Sequence, residues 1–203
     1  TVPHITDVEE LNRLAFEGIL DITKLSYFAW TQVSDKYILL NSGSALGFGN
    51  GPLLVSKRKI YPDELAHVKI AIPGKYTTAI FLLGIAFPGA TDKKEYLFSD
   101  IEDVVLSGEA DAGLVIHETR FTYEKRGLSK ILDLGKWWED NYKLPVPLGG
   151  IAIKRNLPES IARQVDSHLE KSIRMAMAEP AKAWNFIKSN ARETEDNVIE
   201  KHI

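Results

Sequence analysis

A helix-glycine-strand unit occurs twice in this chain, and the repeat constrains the fold more than any other feature of the sequence. In the first copy, Gly18 ends a helical pattern, Asp21 follows, and an apolar strand runs to Ser26. In the second copy, Gly108 begins the same pattern, which stops just before His117. Two such units predict two similar α/β lobes. Because ligands bind at the carboxyl ends of strands in open α/β sheets, Ser26 and His117 are expected to face one cleft.

The segments before the two glycines carry the signals of amphipathic helices. Asp7 is an N-cap residue followed by first-turn acids, and Leu11, Leu14 and Ala15 share one predicted apolar face. A similar pattern follows Asp100 and is shorter by close to one turn. Both helices are therefore expected to deliver their strands in the same orientation.

Two further strands resemble each other and are predicted to carry the chain between the lobes. Residues 51–58 and 148–155 both have glycine at their first or second position, an apolar centre and basic residues at their end. We expect the first lobe to comprise residues 1–58 with 150–203, and the second lobe residues 59–149. The alternative that these are two unrelated edge strands stays open at this stage.

The composition excludes several classes of function. A formal net charge of -3 over 203 residues provides no basic footprint for nucleic acid or an anionic membrane. Cysteine is absent, which excludes disulfides, thiolate metal sites and a cysteine nucleophile, and which suits a cytoplasmic protein. No apolar run approaches the roughly 20 residues that span a bilayer. We expect no nucleic-acid or membrane partner, and the sequence leaves a homodimer open.

The segment from Pro73 to Thr78 joins a predicted strand to a helix N-terminus. Free N–H groups, the helix dipole and the hydroxyls of Thr77 and Thr78 make this junction a candidate anion site. The alternative is that one of the two threonines caps the helix and does nothing more. The glycine before them favours a ligand carboxylate or phosphate.

His117 is the candidate general base because it follows a buried strand and titrates near neutral pH. The alternative is a structural histidine; a zinc site is excluded locally because the second histidine of H-E-x-x-H is missing. Ser26, with Lys24 nearby, lacks a G-x-S-x-G elbow and is expected to bind rather than attack. The glycines near Gly47 fail the G-x-G-x-x-G test because Pro52 stands where the third glycine belongs. Nothing in the sequence requires a metal or an organic cofactor.

Several segments together resemble the 1,4-dihydroxy-6-naphthoate synthases of the futalosine route to menaquinone. The matching segments are Asp7-Val-Glu-Glu-Leu-Asn, Asp21-Ile-Thr-Lys-Leu-Ser, Ser42-Gly-Ser-Ala-Leu-Gly-x-Gly-x-Gly-Pro-Leu-Leu, Pro73-Gly-x-x-Thr-Thr-Ala, Ala110-Asp-Ala-Gly-Leu-Val-Ile-His-Glu and Pro147-Leu-Gly-Gly-Ile-Ala. They extend over nearly the whole chain, and the Ile-His-Glu string separates it from the related chorismate dehydratases.

The resemblance implies a two-lobe, periplasmic-binding-protein-like type II α/β fold used as a lyase. It implies conversion of cyclic dehypoxanthine futalosine, a carboxylated aromatic substrate, to 1,4-dihydroxy-6-naphthoate, with His117 as proton acceptor. Lys24, Leu25 and Ser26 match the first binding segment of the family, and Thr78 with Ala79 matches the second. Thr77 is added to this second segment as a neighbour in the predicted anion site.

Two other functions compete with this one, a non-catalytic solute-binding protein of the same fold and a chorismate dehydratase. The family normally opens with a strand and a Ser-Pro-Cys-Pro-Asn-Asp loop, which this sequence lacks, and it continues past the position of Ile203. We therefore expect the sequence to be an incomplete view of the protein. A signal peptide in a longer N-terminus would favour transport, and that loop would favour the synthase.

Overall fold

The computed structural model describes residues 4–190 and residue 196, apart from the side chains of His117 and Glu118. The described helices are α1 (Val8–Phe16), α2 (Tyr27–Gln32), α3 (Thr78–Ala86), α4 (Ile101–Ser107), α5 (Leu134–Tyr142), α6 (Glu159–Ala178) and α7 (Pro180–Asn190). The described strands are β1 (Ile22–Ser26), β2 (Tyr37–Leu39), β3 (Ala45–Gly47), β4 (Leu53–Ser56), β5 (Ile70–Ile72), β6 (Lys93–Glu95), β7 (Ala112–Val115), β8 (Ser129–Asp133) and β9 (Val146–Lys154). They form two separate sheets.

The first sheet is organised around β9, the longest described strand. β1 pairs antiparallel with β9 on one side, in a register that sets Ser26 opposite Gly149. β2 and β3 pair antiparallel with successive parts of β9 on its other side. A Cβ added at Gly149 would lie 2.4 Å from the Leu25 carbonyl oxygen, so glycine is required at this position of the β1–β9 pair.

The second sheet has the strand order β6-β5-β7-β4-β8. β5 lies parallel to β6 and β7, whereas β4 runs antiparallel to β7 and β8. Side chains of β4 alternate between its two faces: Leu54 packs on the side of α3 and α5, and Leu53 and Val55 pack on the side of α4. Helices cover both faces, which explains why all four β4 residues are buried.

The repeated helix-glycine-strand unit is present as the sequence predicted. Gly18 and Gly108 both adopt left-handed backbone conformations, with φ of +68° and +82°; Gly18 follows Glu17, the C-cap of α1, and Gly108 is the C-cap of α4. Asp7 caps α1 by accepting a hydrogen bond from the Glu9 N–H at 2.8 Å. The predicted buried face of α1 is wrong in part: Ala15 is buried, but its buried companions are Glu9 and Asn12 rather than two leucines. The apolar periodicity did not reveal these polar contacts.

The chain passes between the two sheets twice, as predicted, but the crossings lie beside β4 and β9 rather than along them. β4 pairs only within the second sheet, and β9 pairs only within the first. The chain therefore changes sheets before β4, at residues 48–52, and between β8 and β9, at residues 134–145. The lobe limits at residues 58 and 150 stay a prediction, and the strand pairing favours limits closer to residues 52 and 146.

The helices α6 and α7 lie outside both sheets and contain no buried residue. α6 begins at Glu159, and its Asp166 accepts hydrogen bonds from Asn41 and Ser42. None of the helices in the described part of the chain is long and apolar enough to cross a membrane.

Candidate functional site

A cavity of about 260 Å³ lies where the ends of the two sheets meet. The lining residues that bear on function are Lys24, Leu25 and Ser26 at the end of β1, Thr77, Thr78 and Ala79 at the start of α3, and Ile116 and Arg120 after β7. The structure thus brings all six predicted binding residues to one cavity. Their roles in binding stay predictions.

Ser26 is the last residue of β1 and the N-cap of α2. Its hydroxyl accepts a hydrogen bond from the Ala29 N–H at 2.9 Å and donates its proton to the Tyr76 carbonyl. A hydroxyl has a single proton to donate. In this conformation Ser26 therefore joins the two lobes, and the predicted donation from its hydroxyl to an anion requires the bond to Tyr76 to break.

The two threonines before and at the start of α3 have different contacts. Thr77 is the N-cap: its hydroxyl accepts from the Ile80 N–H at 3.4 Å and donates to the Gly74 carbonyl at 3.1 Å. The Thr78 hydroxyl instead donates across to β9, to the carbonyl oxygens of Pro147 at 2.7 Å and Leu148 at 3.1 Å.

These contacts determine which groups at the start of α3 remain suited to an anion. The hydroxyl protons of Thr77 and Thr78 are used within the protein. Helix geometry leaves the first N–H groups of a helix without an intrahelical acceptor, and Thr77 takes the one from Ile80. The N–H groups of Thr78 and Ala79 are therefore the candidate anion donors, at the positive end of the helix dipole.

Arg120 contributes to the same cavity and was missed as a functional residue by the sequence reasoning. Its guanidinium donates to the carbonyls of Gly51 and Gly49, the latter at 2.9 Å, and lies 3.5 Å from the Asp133 carboxylate. The side chain is 10% exposed, and its buried Nε has no hydrogen-bond partner among the described residues. The sequence did contain a signal for this residue, because Arg120 lies two positions after the His-Glu pair that follows β7. Its contacts with the connection between the sheets could not be read from the sequence.

His117 begins a short 3-10 helix, His117–Phe121, immediately after Ile116. Its backbone is thus where the sequence placed it, just past the end of β7, and its neighbours Ile116 and Arg120 line the cavity. Its side chain lies outside the part of the structure that is described, so its role as base stays a prediction. The Thr119 hydroxyl donates to the Ile116 carbonyl and closes this turn.

The charges around the cavity favour an anionic ligand. Lys24 and Arg120 line it, and no aspartate or glutamate is among the lining residues that the structure describes. Among those described residues, no group of three or more His, Asp or Glu side chains is placed to hold a metal ion. The donor set of helix N–H groups, an ammonium and a guanidinium is typical of carboxylate recognition.

Comparison with known proteins gives one family. The family model described as "Menaquinone biosynthesis" matches residues 3–203. A curated protein of Thermus thermophilus, named 1,4-dihydroxy-6-naphthoate synthase, is 44% identical over 201 residues, which is 99% of this chain and 73% of the relative. A protein of the same name from Streptomyces coelicolor is 34% identical over 202 residues, covering 97% of this chain and 71% of the relative.

Solved structures show the same architecture. A crystal structure of an Archaeoglobus fulgidus protein superposes with a TM-score of 0.91 at 37% identity, covering 98% of this chain and 74% of that one. The periplasmic VFT2 domain of BvgS from Bordetella pertussis gives 0.56 at 19% identity, covering 98% and 74%. An amino acid ABC transporter's substrate-binding protein gives 0.59 at 12% identity, covering 93% and 78%. The last two show the fold alone, and they confirm the predicted periplasmic-binding-protein-like type II class.

Proposed function

The chain belongs to the menaquinone-biosynthesis family of 1,4-dihydroxy-6-naphthoate synthases, and we propose that it converts cyclic dehypoxanthine futalosine to 1,4-dihydroxy-6-naphthoate with His117 as general base. The family makes it an enzyme. The substrate, the base and action in the cytoplasm are the proposed parts.

The observation that carries the proposal is the meeting of the two predicted binding segments at one cavity. Lys24 to Ser26 come from the first sheet and Thr77 to Ala79 from the segment that leads into α3, and both groups line it. A carboxylate on the substrate has suitable donors in the N–H groups of Thr78 and Ala79. Lys24 and Arg120 add positive charge, which raises the local concentration of an anionic substrate.

The chemistry follows from holding the carboxylate at the start of α3. The neutral imidazole of His117 then abstracts a carbon-bound proton. The electron pair of the broken C–H bond forms a new double bond while a carbon–carbon bond breaks, and the remainder of the substrate leaves with the electrons of that bond and takes up a proton. The retained ring becomes aromatic, which helps to drive the reaction. A positioned base of this kind contributes roughly 10²–10⁴-fold to the rate.

Incubation of the purified protein with cyclic dehypoxanthine futalosine tests the proposal, with 1,4-dihydroxy-6-naphthoate followed by liquid chromatography and mass spectrometry. We expect product to form in proportion to enzyme, and chorismate in a parallel incubation to remain unchanged. Recovery of tightly bound but unaltered substrate would instead support a solute-binding protein. Turnover of chorismate would support a dehydratase.

A further inference from the structure

The face of α1 that meets the loop before α3 is polar. Glu9 is 5% exposed and Asn12 is completely buried. Burial of an amide and a carboxyl group costs free energy unless their hydrogen-bonding atoms find partners. Their partners outside α1 are Ser26, which belongs to the first proposed binding segment, and Tyr76, which directly precedes the second.

Asn12 contacts Ser26 and the loop before Thr77 at once. Its Oδ1 accepts a hydrogen bond from the Ser26 N–H at 3.2 Å. Its Nδ2 lies 3.4 Å from the carbonyl oxygen of Tyr76, the residue before Thr77, and can donate to it. The Ser26 hydroxyl donates to the same carbonyl. Asn12 therefore joins the end of β1 to the loop that leads into α3.

Glu9 holds the same loop from a second direction. Its carboxylate accepts from the Tyr76 N–H, at 3.1 Å to Oε1 and 3.3 Å to Oε2, and from Asn12 Nδ2 at 3.0 Å. Gly74 lies against this carboxyl group, and a Cβ there would come within 2.4 Å of Glu9 Cδ. With φ of +148°, Gly74 also has a backbone that other residues rarely adopt. The loop is thus shaped around the Glu9 carboxyl group.

Stability alone does not account for this cluster. Among the described residues, the basic side chains near Glu9 form ion pairs with a different acid, Glu95. Arg13 and Lys75 lie 3.1 and 3.4 Å from the Glu95 carboxylate. Burial raises the pKa of Glu9 in spite of its hydrogen bonds. Apolar side chains of similar volume often pack such a contact at lower cost than buried charged groups do.

We propose that Glu9 and Asn12 are positioning residues that hold the two substrate-binding segments of the cavity in register. The inference rests on the proposed function, because it takes Ser26 and Thr77 to Ala79 as the binding segments. Asn12 fixes the backbone at Ser26, and both side chains fix the backbone at Tyr76. Loss of either contact lets the start of α3 shift relative to β1, which weakens the hold on the substrate carboxylate.

A polarity swap tests this role. Asn12→Asp removes the donor to Glu9 and to Tyr76 and places two carboxyl groups together. In the double variant Glu9→Gln/Asn12→Asp, the amide introduced at position 9 can accept from the Tyr76 N–H and donate to the carboxylate introduced at position 12. That carboxylate can still accept from the Ser26 N–H. The 3.4 Å contact with the Tyr76 carbonyl is the single contact of Asn12 that the swap does not restore. Glu9→Gln alone covers the case in which Asn12→Asp does not fold.

Ala15→Gly is the matched control, because Ala15 is fully buried on the same helix face and its substitution costs about 1 kcal/mol of helix stability without altering the polar cluster. For every variant we would measure melting temperature, kcat and KM, and the Kd for 1,4-dihydroxy-6-naphthoate by calorimetry. We expect Asn12→Asp to raise KM and Kd about tenfold, with kcat within about threefold, and the swap to recover most of the loss. The control is expected to lower only the melting temperature.

An Asn12→Asp or Glu9→Gln variant that melts earlier yet keeps the wild-type KM and Kd would overturn the inference. A swap that recovers melting temperature but not Kd would do the same. The wild-type protein could fail to turn over the proposed substrate while the Kd for the dihydroxynaphthoate still rises in Asn12→Asp and recovers in the double variant. In that case the proposed function fails and the positioning role stands.

Discussion

Replacement of Thr78 by valine should separate the binding of substrate from its chemistry. The Thr78 side chain is close in shape to valine and 7% exposed, so the change removes a hydroxyl from a buried site with little change in volume. That hydroxyl donates to the carbonyls of Pro147 at 2.7 Å and Leu148 at 3.1 Å. The bond fastens the start of α3 to β9, and so to the first sheet.

The contacts set the size of the expected effect. Loss of a hydrogen bond costs about 0.5–1.5 kcal/mol, and a buried carbonyl left without a partner costs about 1–3 kcal/mol. A methyl group also cannot approach a carbonyl oxygen as closely as a hydroxyl does, so β9 and α3 must separate slightly. We expect the free energy of unfolding to fall by about 1–3 kcal/mol and KM to rise about tenfold. The kcat value should change by less than about threefold, since the anion contact exists before and during the reaction.

Steady-state kinetics and urea denaturation would be compared for three variants. Thr78→Ser keeps the donor and should behave like the wild type. Ser56→Ala is the matched control, because the Ser56 hydroxyl is buried and donates to the Arg58 carbonyl at 2.6 Å but does not line the cavity. It should lower stability without a change in KM. A Thr78→Val enzyme with reduced kcat and unchanged KM would refute the assignment.

Three further substitutions give independent checks. Arg120→Lys removes a buried guanidinium that bridges two carbonyls and a carboxylate, so urea denaturation should show that the free energy of unfolding falls by about 2–4 kcal/mol. The exposed control Arg163→Lys should lower it by less than about 0.5 kcal/mol, and equal losses in the two variants would contradict a structural role for Arg120. Because burial raises the pKa of Glu9 above its ordinary value of 4.5 in the folded protein, the folded state binds that proton more tightly, so the stability of the wild type relative to Glu9→Gln should increase as pH falls from 7 toward 4.5. Parallel stability curves would show that Glu9 titrates normally. Gly108→Ala should lower the free energy of unfolding by about 1 kcal/mol in thermal denaturation, because φ is +82° and an added Cβ meets no neighbour, so the cost comes from the backbone alone. An unchanged stability would show that the backbone relaxes there.

Local features of the fold could be predicted because each depends on neighbouring residues. The Asp7 cap, the left-handed Gly18 and Gly108, and the strand ending at Ser26 are all determined within a few positions of the chain. The helix that begins at Thr78 belongs to the same group. The resemblance then named the family and five of the residues that line the cavity, Lys24, Leu25, Ser26, Thr78 and Ala79.

Features that depend on distant pairing could not be predicted. The residue pattern of β4 resembles that of β9, yet hydrogen bonds to β7 and β8 place β4 in the second sheet. The buried role of Glu9 and Asn12 arises from contacts with a loop more than 60 positions away. Arg120 likewise reaches carbonyls near Gly51. The periodicity of apolar residues along the chain does not identify contacts with such distant partners.

The most direct test of the proposed mechanism is the turnover of His117→Asn on cyclic dehypoxanthine futalosine. Asparagine keeps a hydrogen-bond donor of similar size but cannot accept a proton as a base. We expect turnover to fall by roughly two to four orders of magnitude, while the melting temperature and the Kd for 1,4-dihydroxy-6-naphthoate stay close to those of the wild type. For the wild type, kcat/KM should fall as pH drops through the pKa of the imidazole in the free enzyme. Near-normal turnover by His117→Asn would contradict the proposed mechanism and would favour a structural role for this histidine.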